Sequence, residues 1–356
     1  MTTSNPAERP DPSETTTMVA RSPGDLVAMV PLAMGFHPRD SVVLITFAPG
    51  RSGFHARVDL PLGRSEQMEV AEMLAGAAVS NRIRRAAVLL YTDDEAVAEA
   101  QGAVVFGRLV EEGIEVIDVV RVEDELFFPV PQDGDPGTAY DLASHRFTAE
   151  HVFTGGVVER DRSAVADSLV GTDEEDATAV ALAATRYADL VRASGARASG
   201  PDRGAEFWRE EARWLQRCVR AHVAEAASPV PVEAGRMLVL ASVVATRDVA
   251  WSEITRASAG AHVELWRGLV RRAPRDLLPG PAALLAFAAW QHGNGALAWC
   301  ALDRCLEVDP DYSMAHCIAE TLTRAVPPDT WQPIGQDELP VFRDSETTDR
   351  ARDRAS

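Results

Sequence analysis

GFHPRDSVVLITF, residues 35–47, decides the fold of the first third of the chain. Gly35 allows a hinge, Pro38 fixes a bend, and Asp40 is a residue type that bonds its own backbone in turns. The six residues from Val42 to Phe47 are mostly apolar, the pattern of a buried strand. A polar turn feeding a buried strand collects Gly35, Phe36, His37, Asp40 and Ser41 at the strand's mouth, a plausible place to hold a ligand.

Upstream, Ser22-Pro23-Gly24-Asp25 has the cap and early proline of a helix start. Leu26, Val27, Met29, Val30 and Met34 make the helix short and apolar; Pro31 predicts a kink or early stop, and Gly35 the end. Downstream, Pro49-Gly50 and Ser52-Gly53 are turn pairs. Residues 54–59 alternate, with Phe54, Ala56 and Val58 on one face and His55, Arg57 and Asp59 on the other, as in a half-exposed hairpin strand. A helix over 66–78, a strand over 86–91, a helix over 95–112, a strand over 114–122 and a returning strand over 126–130 complete the series. Strand–helix alternation implies parallel crossovers with helices on the sheet faces. The expected class is an α/β lobe with a mixed sheet, an antiparallel hairpin edge plus parallel βαβ units, followed by an all-α lobe.

After about residue 140 the pattern is helical, over 177–193, 205–226, 231–245 and 261–272. Phe207, Trp208, Trp214, Leu215, Cys218, Val219 and Val223 recur at helical spacing and read as core. Residues 286–316, AFAAWQHGNGALAWCALDRCLEVDPDYSMAH, resemble a tetratricopeptide helical hairpin, with small Ala298 and Ala301 beside Leu302 and Leu306 and a break at Asp309-Pro310. The expected divisions are a tail over 1–20, an α/β domain over 21–140, a helical domain over 141–326 and a second tail over 327–356. Both tails are read as mobile from their Pro, Ser, Thr and charged content.

The net charge is -19, with 12 basic against 24 acidic residues in 1–150 and no basic excess afterwards. Nucleic acid and anionic membranes are therefore not expected as partners, since both need a cationic footprint. A protein partner on the helical lobe is the expected alternative. All 35 basic residues are arginine. Without lysine there is no Schiff base, no pyridoxal phosphate anchor and no Walker-type nucleotide site, so no cofactor is expected. Cys218, Cys300, Cys305 and Cys317 form no CxxC pair and read as small packed hydrophobes in a reducing compartment. The start of the chain has no signal-like apolar core and no run reaches membrane length, so a cytoplasmic location is expected.

Three constellations could carry chemistry. In the first, Arg57 clamps an anion or pairs with a carboxylate, and His37 acts as a base held by Asp40, with Asp59 nearby. The plainer reading is that Pro38 and Asp40 form a turn and His37 caps the helix before it. In the second, Asp59, Asp93 and Asp124 hold a magnesium ion beyond the strand ends, against the plainer reading of Asp93-Asp94-Glu95 as a helix cap. The third, Asp141 with His145 and His151, lacks the spacing of a helical zinc pair.

Gly24-Asp25-Leu26-Val27-Ala28-Met29-Val30-Pro31, the 35–41 stretch, Ala56-Arg57-Val58-Asp59-Leu60-Pro61 and the late Ala289-Trp290-Gln291 to Asp309-Pro310 segment resemble an uncharacterised actinobacterial family, domain of unknown function 4192. The resemblance spans roughly residues 22–326 and implies no activity. The expected function is a ligand- or partner-binding, regulatory protein. The alternative is a metal-assisted hydrolase or transferase using His37 and the acids at the sheet ends.

Overall fold

The strand that opens the sequence reading lies inside a sheet. The computed structural model describes residues 19–48, 54–153, 158–197 and 201–343. The turn at Pro49-Gly50 and Ser52-Gly53, most of the first expected tail and the last 13 residues of the second fall outside these residues. Among the described residues, β1 (Ser41–Phe47), β2 (His55–Asp59), β3 (Arg85–Tyr91), β4 (Glu115–Glu123), β5 (Leu126–Pro129) and β6 (Thr138–Ala139) form one sheet in the order β2-β1-β3-β4-β5-β6. β1 is antiparallel to both neighbours, and β3 and β4 are parallel. The hairpin's outer strand β2 forms the edge, and the crossover from β2 to β3 passes over β1.

Side-chain alternation along β1 builds two cores. Val42 and Leu44 pack with Val70 and Leu74 of α2 (Arg64–Ser80) and Val105 and Leu109 of α3 (Glu95–Glu111). Val43 and Ile45 pack with Val27 and Val30 of α1 (Pro23–Met34) and Phe147 of α4 (Arg146–Phe153). Burial on both faces explains why β1 is a nearly unbroken apolar run. Phe54, just before β2, and Ala56 and Val58 on it pack against the α2–α3 core, as their alternation predicts.

α1 begins with Ser22 accepting the Asp25 N–H and has proline in its first turn. It runs through Pro31 without stopping there and ends at Gly35, whose φ of 79° is the left-handed cap. The chain divides into two compact units after Ala164. The first unit thus includes α4, which composition alone places with the helical part.

The division falls within α5 (Arg162–Asp167); the second unit then holds α6 (Glu174–Arg197), α7 (Pro201–Glu225), α8 (Pro231–Ala241), α9 (Val244–Ser252), α10 (Ala259–Val270), α11 (Pro279–His292), α12 (Gly295–Val308) and α13 (Ser313–Thr323). α11 is buried from Pro279 to Gln291, with α8, α10, α12 and α13 around it. A helix apolar on all sides is a core helix. Among the described residues, no helix is long and apolar enough to cross a membrane.

The expected tail from 327 is corrected as far as Arg343. Trp331 packs on Trp251 and Phe287, with ring centroids 4.9 and 5.1 Å away. Leu339 is 2% exposed, against Ala212 and Val249. A few apolar anchors in a polar sequence are enough to hold the segment down, and average composition hides them.

Gly235 and Gly280 are among the glycines of the second unit that are needed for close approach. A Cβ on Gly235 would stand 2.5 Å from the Ala184 nitrogen, and one on Gly280 would stand 2.2 Å from the Ala241 oxygen. We expect Gly235→Ala to lower the unfolding free energy by about 2–3 kcal/mol through overpacking. Gly76→Ala, on an open helix surface, should raise it by about 0.5–1 kcal/mol. Urea denaturation of both variants checks the contrast.

Candidate functional site

Register brings the first constellation to one end of the sheet. Ser41 pairs with Asp59 on one side and Tyr91 on the other. Arg57 lies 2.5 Å from Asp59 Oδ1, donates from Nε to Ser41 Oγ at 2.8 Å, and reaches the Arg39 carbonyl at 3.4 Å. Ser41 Oγ donates to the same carbonyl at 2.5 Å. Arg57 therefore closes the mouth of the β1–β2 hairpin. Its guanidinium is committed to Asp59, Ser41 and main chain, which leaves little of it to clamp an anion.

His37 and Asp40 do not form the expected pair: no hydrogen bond joins their side chains among the described residues, and both are exposed. The His37 backbone N–H donates to the Glu159 carbonyl, and Phe36 bridges Glu159. Burial of the ring's inner side, and then the Arg39 charge, lower the His37 pKa. Asp40 has φ of 44°, and its carbonyl accepts the Leu60 N–H at 2.8 Å. Its work is in the backbone, turning the chain into β1. Gly35 serves as the cap of α1, and Phe36 is 2% exposed, so both are structural.

The acid row is also corrected. Asp94 caps α3 through the Val97 N–H, and Asp124, at φ of 47°, turns β4 into β5. Asp59 is paired with Arg57. Among the described residues, Asp59, Asp93 and Asp124 do not gather as metal ligands, and neither do Asp141, His145 and His151. Potential ligands converge instead at Cys218, His222 and Glu233.

The chemistry of the first unit is denser at the N-terminus of α1. A cavity of about 380 Å³ lies there, lined by Gly24, Asp25, Phe127, Tyr140, Asp141 and His145 among others. Asp25 Oδ2 accepts from the Arg21 N–H at 2.7 Å and from Arg146 at 3.2 Å, and Oδ1 meets His145 Nε2 at 3.1 Å. Burial raises the Asp25 pKa, but the Arg21 N–H, the Arg146 charge and His145 outweigh it and hold the carboxyl below its ordinary value. His145 Nδ1 accepts the Phe147 N–H at 3.3 Å, so Nε2 carries the proton and donates it to Asp25. His145 also starts α4, its carbonyl accepting the Ala149 N–H. The Asp–His pair has the look of a base and its orienter, yet both ring nitrogens are occupied. It caps α4 and ties α4 to α1.

Sequence reasoning placed Asp25 in a helix start and missed its partners, which are about 120 residues away. A second missed signal is local: Cys218 and His222 are four apart on a helix and so share a face.

Two substitutions test these roles. A depressed carboxyl contributes stability that is full above its unfolded value near about 4 and is lost as pH falls through the folded value. Asp25→Asn should therefore cost about 2–3 kcal/mol near neutral pH. It should also cost progressively less, relative to the parent, below about pH 4; chemical denaturation across pH reads both. At the rim, Asp40→Asn should be neutral while Asp40→Val loses about 1–2 kcal/mol, because a branched residue resists positive φ.

No curated protein and no solved structure matches the chain. The family described as Domain of unknown function (DUF4192) matches residues 23–329. That stretch starts at the first residue of α1 and takes in both units, and the chain belongs to this family.

Proposed function

We propose that the protein is a ligand-binding, regulatory protein, and that the cleft between α1 and the β5–β6 ribbon takes a small molecule with a flat apolar body and a cationic or donor head. The observation that carries this reading is an aromatic wall meeting the Asp141 carboxylate in one cavity, with Asp25 behind it spent on Arg21, Arg146 and His145. Phe127 and Tyr140 stand 6.3 Å apart, ring to ring, and both line it with Asp25 and Asp141. Aromatic faces favour flat apolar groups and cations, and carboxylates accept from donors. Asp141 is held ionised: hydrogen bonds, first from the Ser144 side chain and then from the Ala143 N–H, lower its pKa. The hydrolase alternative draws less support, because Asp59 is paired with Arg57, Asp124 sits in a turn, and these acids do not gather with Asp93 as metal ligands among the described residues.

A thermal-shift screen pairing aromatic amines with aromatic carboxylates of matched size tests the proposal. Amines should raise the melting temperature and carboxylates should not. Tyr140→Ala and Asp141→Asn should each weaken the best amine by about tenfold, or about 1.4 kcal/mol. Amine binding indifferent to both substitutions, or no response to any amine, would overturn it.

A further inference from the structure

The turn between α7 and α8 carries a cluster that the proposed cleft does not use. Cys218 and His222 project from one face of α7, and Glu233 comes from the first turn of α8. One sulfur, one imidazole nitrogen and one carboxylate oxygen all lie within 4.8 Å of one another. The turn is braced by Arg272, which donates to the Pro229 carbonyl at 2.9 Å and to Ser228 Oγ at 3.3 Å.

The imidazole gives the decisive contact. His222 Nδ1 is 3.1 Å from the Ala227 carbonyl oxygen. A carbonyl can only accept, so Nδ1 carries a proton. In the neutral ring Nε2 then presents a lone pair, and it faces Glu233 Oε2 at 3.3 Å. Two acceptors at that distance repel unless a cation stands between them. That cation is either a second proton on the ring or a metal ion. An imidazole whose other N–H is fixed by a backbone carbonyl is the usual state of a metal-ligating histidine.

We propose that Cys218 Sγ, His222 Nε2 and a Glu233 carboxylate oxygen bind Zn²⁺, with water at the fourth position. Sulfur, nitrogen and oxygen donors together suit zinc, with bonds of about 2.3, 2.0 and 2.1 Å. Tetrahedral angles then place donor atoms about 3.3–3.6 Å apart. The His222–Glu233 pair already meets this spacing at 3.3 Å, and the thiol lies within 4.8 Å of both. The Glu233 side chain is 42% exposed and opens the fourth position to solvent.

On binding, the Cys218 S–H bond and the Nε2–H bond of the imidazolium break, both protons leave to solvent, and Zn–S and Zn–N bonds form. Without metal, burial and then the Glu233 charge push the thiol up to about 11, while Arg236 opposes them, and the thiol faces Met237 Sδ at 3.8 Å. Zinc would neutralise the Glu233 charge and stabilise the thiolate.

Titration of the full-length, metal-free protein with Co²⁺ and then Zn²⁺ tests the site. Stoichiometric Co²⁺ should give a thiolate-to-cobalt charge-transfer band that Zn²⁺ abolishes. Cys218→Ser should remove the band. His222→Gln and Glu233→Gln should each weaken binding by about tenfold or more. Cys317→Ser, which removes an exposed thiol, should change nothing, and circular dichroism should show each variant folded. A bare imidazolium–carboxylate pair predicts no such band and a melting temperature that Zn²⁺ leaves unmoved. That result, or a band that survives Cys218→Ser, would overturn the proposal.

Discussion

The first unit depends on the burial of β1 from both sides. Val42 and Leu44 belong to one core, Val43 and Ile45 to the other, and all four are fully buried. Burying each such side chain contributes about 1.5–3 kcal/mol. A slip of one residue would exchange the two sets and offer each helix layer side chains shaped for the other. Both neighbours of β1 are antiparallel to it, so one register fixes three strands at once. The ends of β2 and β3, and the start of β1, must then line up as Asp59, Ser41 and Tyr91.

Alignment at a rim is not convergence on a ligand. Neighbouring strands stand about 4.8 Å apart, and each strand end must still be turned, capped or paired. Arg57 draws Asp59 and Ser41 into a clasp across the hairpin mouth. Asp94 and Asp124 serve the next helix and the next turn. The α1 cleft differs because its polar groups are satisfied behind the wall. Asp25, Arg146 and His145 hold α1 and α4 together, and the aromatic pair stands in front of them.

The local pattern reveals the parts of this molecule whose partners are near in sequence. Alternation over 54–59 and the apolar run over 42–47 were readable because a strand's period depends on its own residues. The position of β1 between β2 and β3 was not, since strand order comes from pairings that no short window contains. Asp25 and His145 share that difficulty. Trp331 and Leu339 were lost for another reason: isolated anchors do not move the composition of a polar segment. Cys218 and His222 were within reach on spacing alone, but the aromatic stripe around them reads as core, and that reading absorbed the cysteine.

The absence of lysine has a structural counterpart in how the buried guanidinium groups are used. Arg121, 4% exposed, reaches the Thr92 carbonyl, Glu123 and Gln132 and lies over Phe128 at 4.1 Å. Arg236 donates twice to Glu211 and covers Trp214 at 3.8 Å. Arg272 serves two main-chain carbonyls and a hydroxyl. A planar fork can meet several acceptors at once, where an ammonium is a single point charge. The α7–α8 turn shows where this bracing stops. At one point Arg272 satisfies the carbonyl of Pro229. At another, a histidine nitrogen and a carboxylate oxygen face each other at 3.3 Å, and the contact holds only if positive charge is supplied there, by a proton or by a metal.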